Sequence, residues 1–175
     1  GHNGAGKTTT LKASVGILRF DSGEISVGGI SVKDNPVACK KQMAYIPDNP
    51  DIYEYMSGIK YLNFIADIFE VGSDLRQERI KKYADMFEIT ADLAQPVSAY
   101  SHGMKQKLAL SMAFLEDPKV LILDEPLSAL DADSVQEARK RILEEKERGK
   151  LILIASHYPE DIQSLCDEVY WMKNG

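Results

Sequence analysis

The sequence predicts an α/β protein with a mainly parallel central sheet, and three observations carry that expectation. "VLIL" at 120–123 and "LILIA" at 151–155 are apolar without alternation, the pattern of parallel strands covered on both faces. Between them, Val135, Ala138 and Ile142 recur at helical spacing and Gly149 closes the segment, which suits a right-handed strand–helix–strand crossover. The glycine-rich opening "GHNGAGKTTT" runs directly into a helical stretch, as a strand-to-helix turn does in such folds.

The remaining elements follow in order. Thr8 to about Val15 is expected to be helical. "SGEISVGGISV" reads as a hairpin around Gly28-Gly29, a small antiparallel β part, and "MAYIP" as a further strand. Ile59, Leu62, Ala66 and Phe69 share a helical face behind a Ser57 cap. After Gly72, Asp74 and Gln77 have capping-box spacing, and Leu75, Ile80, Tyr83, Ala84 and Phe87 share much of one face. Ser101 precedes a helix with Leu108, Met112 and Leu115 on one side, ending before Pro118. Asp133 or Ser134 can cap the crossover helix. "EVYWMKNG" reads as a strand leading into the hairpin dipeptide Asn174-Gly175. The expected organisation is one domain: a core from residues 1–49 and 116–175, an α-helical subdomain from about 50 to 115, and a chain cut at both ends.

Bulk properties narrow the function classes. A net charge of −6 with no basic block argues against nucleic acid as a partner. Cys39 and Cys166 have no Cys or His at metal-ligand spacing, which fits thiols in a reducing cytoplasm. The longest apolar runs are strand-sized, so no transmembrane segment is expected.

The opening carries the most specific chemistry. Gly1, then His2, Asn3, Gly4 and Ala5, then Gly6-Lys7-Thr8 and Thr9 have the spacing of a phosphate-binding loop. Glycines let successive N–H groups curl toward phosphate oxygens, and the helix start adds partial positive charge. Lys7 would reach the β- and γ-phosphates, and the Thr8 hydroxyl would sit on Mg²⁺. Asp124 and Glu125 end the strand "VLILDEP", at the sheet edge where ligands bind in open α/β folds. Asp124 would hold Mg²⁺, and Glu125 would orient or deprotonate an attacking water. His157 follows the next strand and emerges at the same edge. Ser101 and Gly103 open a helix, and Gly103 permits close backbone approach. Asp48, in "YIPDNP", either reaches the metal or serves as a turn residue.

The order and spacing of these pieces resemble the nucleotide-binding domain of ATP-binding cassette (ABC) proteins, over nearly the whole chain. "GHNGAGKTT" is similar to the Walker A loop of that P-loop NTPase fold, and "VLILDEP" to Walker B with its catalytic glutamate Glu125. "LSALD", ending at Asp131, is similar to the D-loop, and His157 to the switch histidine. "YSHGMKQK" resembles a variant of the LSGGQ signature in which His102 and Met104 replace family residues while Ser101 and Gly103 remain. Asp48 stands where the family has its Q-loop glutamine. The family's adenine-stacking aromatic belongs upstream of Walker A.

The resemblance implies an ATPase that drives transport, using ATP and Mg²⁺. Two cassettes would close head to tail, one giving Gly4, Gly6, Lys7, Thr8, Asp124, Glu125 and His157 to a site, the other Ser101 and Gly103. It also implies a separate transmembrane permease and a peripheral place on the cytoplasmic face of the membrane. Two rivals are a soluble ABC ATPase acting on ribosomes or in DNA repair, and a P-loop small-molecule kinase. "LSALD" and the lack of a heptad run speak against the first, and the signature and D-loop against the second.

Overall fold

The computed structural model describes residues 4–173; Gly1, His2 and Asn3, and the expected turn at Asn174-Gly175, lie outside the described residues. Helix α1 (Lys7–Ser14) leaves the glycine loop. Strands β1 (Ser26–Val27) and β2 (Ile30–Ser31) form the antiparallel hairpin, pairing Val27 with Ile30 across Gly28-Gly29. After α2 (Pro36–Lys40) comes β3 (Met43–Ile46). Helices α3 (Gly58–Ile68), α4 (Ser73–Met86) and α5 (His102–Glu116) follow. Then β4 (Val120–Asp124), α6 (Ala132–Glu147), β5 (Leu151–Ala155) and α7 (Pro159–Leu165) alternate.

The sheet is parallel, in the order β3-β4-β5, with α6 as the crossover. Its register places Asp124 opposite Ala155, so the ends of β4 and β5 open onto one edge. One core packs α3, α4 and α5 against the sheet through Leu62, Phe87, Leu108, Phe114 and Leu123, all fully or almost fully buried. Each such side chain contributes about 1.5–3 kcal/mol. A smaller core on the other face joins Leu11, Val15, Cys39, Met43 and Ile122.

Four sequence expectations are corrected. Strand β5 is not covered on both faces: Leu151 and Leu153 are exposed because no described element packs over their face, and β5 pairs only with β4 among the described residues. No capping box starts α4. Gly72 is the cap residue, Ser73 and Asp74 are already helical, and Leu75 stays exposed. The cap of α6 is Asp131, whose Oδ1 accepts the Ser134 N–H at 2.9 Å from an extended backbone. Asp133 and Ser134 are inside the helix and cannot fill that position. Residues 168–173 form no strand. Ser57 does hold the cap position of α3, yet its side chain makes no cap hydrogen bond.

At the far end of the strands an ionic cluster ties the helices to the sheet. Asp117 pairs with Arg79 of α4, Arg148 and Lys150, and buried Glu145 with Arg141, Arg148 and Lys150. Arg141 also donates to the Tyr83 hydroxyl at 2.9 Å, linking α6 to α4. Burial would push the Asp117 carboxyl up, but hydrogen bonds from Lys150 and Arg148 outweigh it and hold it at about 2.

Candidate functional site

The loop before α1 turns on two left-handed residues, Gly4 at φ 81° and Gly6 at φ 97°. A side chain at either position would be strained, which explains glycine there. Gly6 is the cap residue of α1 and no side chain caps that helix, so its first N–H groups are left to the loop's concave side. Ala5 is buried beneath the turn.

The loop meets the end of β4. The Thr8 hydroxyl faces the Asp124 carboxylate closely enough to lower its pKa as a donor, and that carboxylate is almost fully buried. Among the described residues, Asp124 Oδ2 has no hydrogen-bond partner. Desolvation pushes the Asp124 carboxyl up, the charges of Glu125 and Asp48 push it further, and Thr8 and Lys7 oppose them. The site thus concentrates negative charge that nearby protein groups only partly offset. No group of three or more His, Cys, Asp or Glu residues forms a metal cage among the described residues. Mg²⁺ keeps several waters and takes one or two protein oxygens plus phosphate oxygens. The orphaned Asp124 oxygen and the Thr8 hydroxyl are such oxygens.

Glu125 leaves the strand with φ 47°, a conformation uncommon outside glycine. Its N–H still bonds the Ala155 carbonyl at 2.8 Å, so the ladder holds the residue while its side chain turns across the edge. There His157 Nδ1 lies 2.9 Å from Glu125 Oε1, and Oε2 accepts the His157 backbone N–H at 3.4 Å. Nε2 is the ring nitrogen not in contact with Glu125. The His157 ring packs on Tyr158 with centroids 4.0 Å apart.

Asp48 stands near this group. Ser128 Oγ lies 3.3 Å from Asp48 Oδ1 and 3.0 Å from the Glu125 carbonyl, two acceptors for its single proton. Asp48 and Asp124 also act on Tyr45: burial first, then both charges, push its phenol up to about 12, and its hydroxyl has no partner. Sequence reasoning quoted Ser128 within "LSALD" and Tyr45 within "MAYIP" but gave neither a role, because their approach to Asp48 and Asp124 depends on contacts distant in sequence.

Ser101 and Gly103 make their contacts elsewhere. Ser101 Oγ accepts the Met104 N–H at 3.2 Å and caps α5. A Cβ on Gly103 would lie 2.7 Å from the Ala129 carbonyl oxygen, so this glycine permits α5 to touch the loop after β4. The two segments are joined again by Lys107, 2.7 Å from Asp131. That pairing, with the Ser134 N–H, holds the Asp131 carboxyl well below the usual range.

A glycine loop opening a helix, an orphaned acid at the adjoining strand end and a Glu–His pair beside it define a phosphate-loop nucleotide-binding protein of the α/β class. Comparison with known proteins narrows the class. The family model for the ABC transporter matches residues 1–128. An uncharacterized ABC transporter ATP-binding protein of Synechocystis is 34% identical over 177 residues, covering 100% of this chain and 49% of that protein. The solved structure of an ATP binding subunit of an ABC transporter superposes with a TM-score of 0.95 at 32% identity, over 99% of this chain and 72% of that one. For cbiO1 of Clostridium perfringens, part of the ABC transporter complex cbiONQ, the TM-score is 0.78 at 29% identity, over 100% of this chain and 72% of that one. The chain belongs to the ABC transporter family. It spans about half the length of the curated relatives it matches, 49%, 57% and 52% of three of them.

Proposed function

We propose that this chain binds ATP with Mg²⁺ and hydrolyses it to drive transport through a separate membrane-spanning permease. One observation carries the reading: buried Asp124, with an oxygen unpartnered among the described residues, faces Thr8 of the phosphate loop and is flanked by the Glu125–His157 pair. The N–H groups of the loop from Gly4 to Thr8 receive the phosphates, and Lys7 receives the β- and γ-oxygens. Thr8 and Asp124 would hold Mg²⁺, which would supply positive charge against the phosphates. Glu125 orients a water and takes its proton as the water oxygen bonds to the γ-phosphorus. The bond to the β–γ bridging oxygen breaks, and ADP and phosphate leave. His157 Nε2 faces the γ-phosphate side while Nδ1 keeps Glu125 in place.

The reading extends to partners. This cassette and a second ABC ATPase domain, in a homo- or heterodimer, close head to tail, and Ser101, Gly103 and Asp131 of one complete the site of the other. The exposure of Ser101 and His102 at the start of α5 supports that use. The helical segment carries the motion of the site to the permease, at the cytoplasmic face of the membrane. No described helix is long and apolar enough to cross a membrane, and a net charge of −6 does not suit nucleic acid.

Asp48 is the third oxygen near the metal. An aspartate keeps an oxygen ligand that a glutamine carbonyl also offers, but when ionised it loses the amide donor. Titrating Mg²⁺ against phosphate release tests this. Asp48→Gln should stay active, and Asp48→Ala should need more Mg²⁺, on the order of 10–100-fold. Identical titrations of both variants and the parent would reduce Asp48 to a turn residue. For the activity itself, Lys7→Ala should abolish binding of a fluorescent ATP analogue and phosphate release together.

A further inference from the structure

We infer that Arg139 and Asp161 are positioning residues that set the pose of His157 against Glu125; the inference rests on the role proposed above for that pair. His157 sits between Ser156 and Tyr158, and one hydroxyl holds both flanks. Ser156 Oγ donates to Asp161 Oδ2 at 3.2 Å and accepts the Tyr158 N–H at 3.1 Å. The other oxygen, Asp161 Oδ1, takes Arg139 Nη2 of α6 at 2.5 Å. Ser156 and Asp161 are both buried, so the bond between them does not compete with bulk water.

The direction of the chain matters. The Arg139 charge fixes the Asp161 carboxylate, which draws the single Ser156 proton toward itself. The Ser156 lone pairs are then turned to the Tyr158 N–H, which fixes the peptide on the far side of His157. The Tyr158 ring lies against the imidazole, so a fixed peptide means a fixed ring, with Nδ1 2.9 Å from Glu125 Oε1. Without the carboxylate, Ser156 is free to donate elsewhere and the loop loses its anchor. Arg139 itself stands two turns into the helix that Asp131 caps and Lys107 holds. Nothing in the motif spacing pointed to Arg139 or Asp161.

An ordinary role in stabilising α7 would explain the same bonds, so the test must read His157. In purified protein, Asp161→Asn should lower kcat about tenfold with the KM for ATP within about twofold, and Ser156→Ala should do the same with the ion pair intact. In a His157→Ala background, Asp161→Asn should lower kcat by less than about twofold more, because a residue acting only through His157 has nothing left to position. Carbon–proton spectra of the three histidine rings, with His157 assigned by its loss in His157→Ala, should show its signal shifted in Asp161→Asn and restored toward the parent in Asp161→Glu. Equal kcat losses in both backgrounds, or a His157 signal unmoved by Asp161→Asn, would overturn the inference. If the signal moves while His157→Ala turns over at the parent rate, positioning stands and the catalytic role proposed for His157 falls.

Discussion

Asp117 and Asp124 flank the same strand and are treated in opposite ways. Asp117, just before β4, is met by Arg79, Arg148 and Lys150, and its carboxyl is held at about 2. Asp124, at the other end, is pushed up by burial and by Glu125 and Asp48, and one of its oxygens has no partner among the described residues. Buried Glu145 follows the first pattern, with three cations around it. One end of the sheet spends charge on holding helices to strands. The other leaves charge unmatched where a polyphosphate and its cation would sit. The lesson is that stability and chemistry are separated along a strand of five residues.

The sharpest way to exploit that separation is Glu125→Gln. Phosphate release should fall by about 10²–10⁴-fold, as expected for loss of a general base. Binding of a fluorescent ATP analogue should persist, and the melting temperature should stay within about 2 °C. Turnover near the parent's would remove Glu125 from the mechanism.

Next in size is a break at the opposite end. Glu145→Ala leaves Arg141 buried beside an empty partner position and should cost about 3–5 kcal/mol in urea unfolding. Asp124→Asn should cost little or add stability, because it removes an uncompensated buried charge while stopping Mg²⁺-dependent turnover. If both variants lose the same stability, the contrast between the two ends is wrong.

The smallest effect is the pH dependence, and its sign differs between the two aspartates. The folded Asp117 carboxyl is depressed, so its contribution is present above the unfolded value of 3.8 and is lost as pH falls toward about 2. The folded Asp124 carboxyl is raised, so its penalty is absent in acid and grows as pH rises through 3.8 toward the folded value. Asp117→Asn should therefore be less stable than the parent at pH 7, with the gap closing toward pH 2. Asp124→Asn should gain on the parent at pH 7 and lose that gain near pH 3. Unfolding curves across that range decide both.

Much of this was legible in the sequence, for identifiable reasons. Strands β3 and β4 and the hairpin were legible because unbroken apolar runs and a Gly-Gly turn are local signals. Gly4, Gly6, Thr8, Asp124, Glu125 and His157 were legible because their motifs fall at the ends of those runs. What was missed depends on contacts that no local window contains. Leu151 and Leu153 look central in hydrophobicity, yet their strand has a neighbour on one side only among the described residues. Asp131, Asp133 and Ser134 are all good caps, and only the backbone of Asp131 is extended. Arg139 meets Asp161 across 22 residues, and neither position breaks a helical pattern.

The contact between Gly103 and the Ala129 carbonyl bears on how this sequence can drift. Position 103 is closed to every residue with a Cβ unless the loop after β4 retreats, since 2.7 Å admits no carbon beside that oxygen. His102 is exposed and Met104 only half-buried, so their side chains have room to vary in size and polarity. The tolerance of the "SHGM" segment is therefore uneven by geometry. In a library randomised at these three codons and selected for function, position 103 should return almost only glycine, while its two neighbours return mixtures.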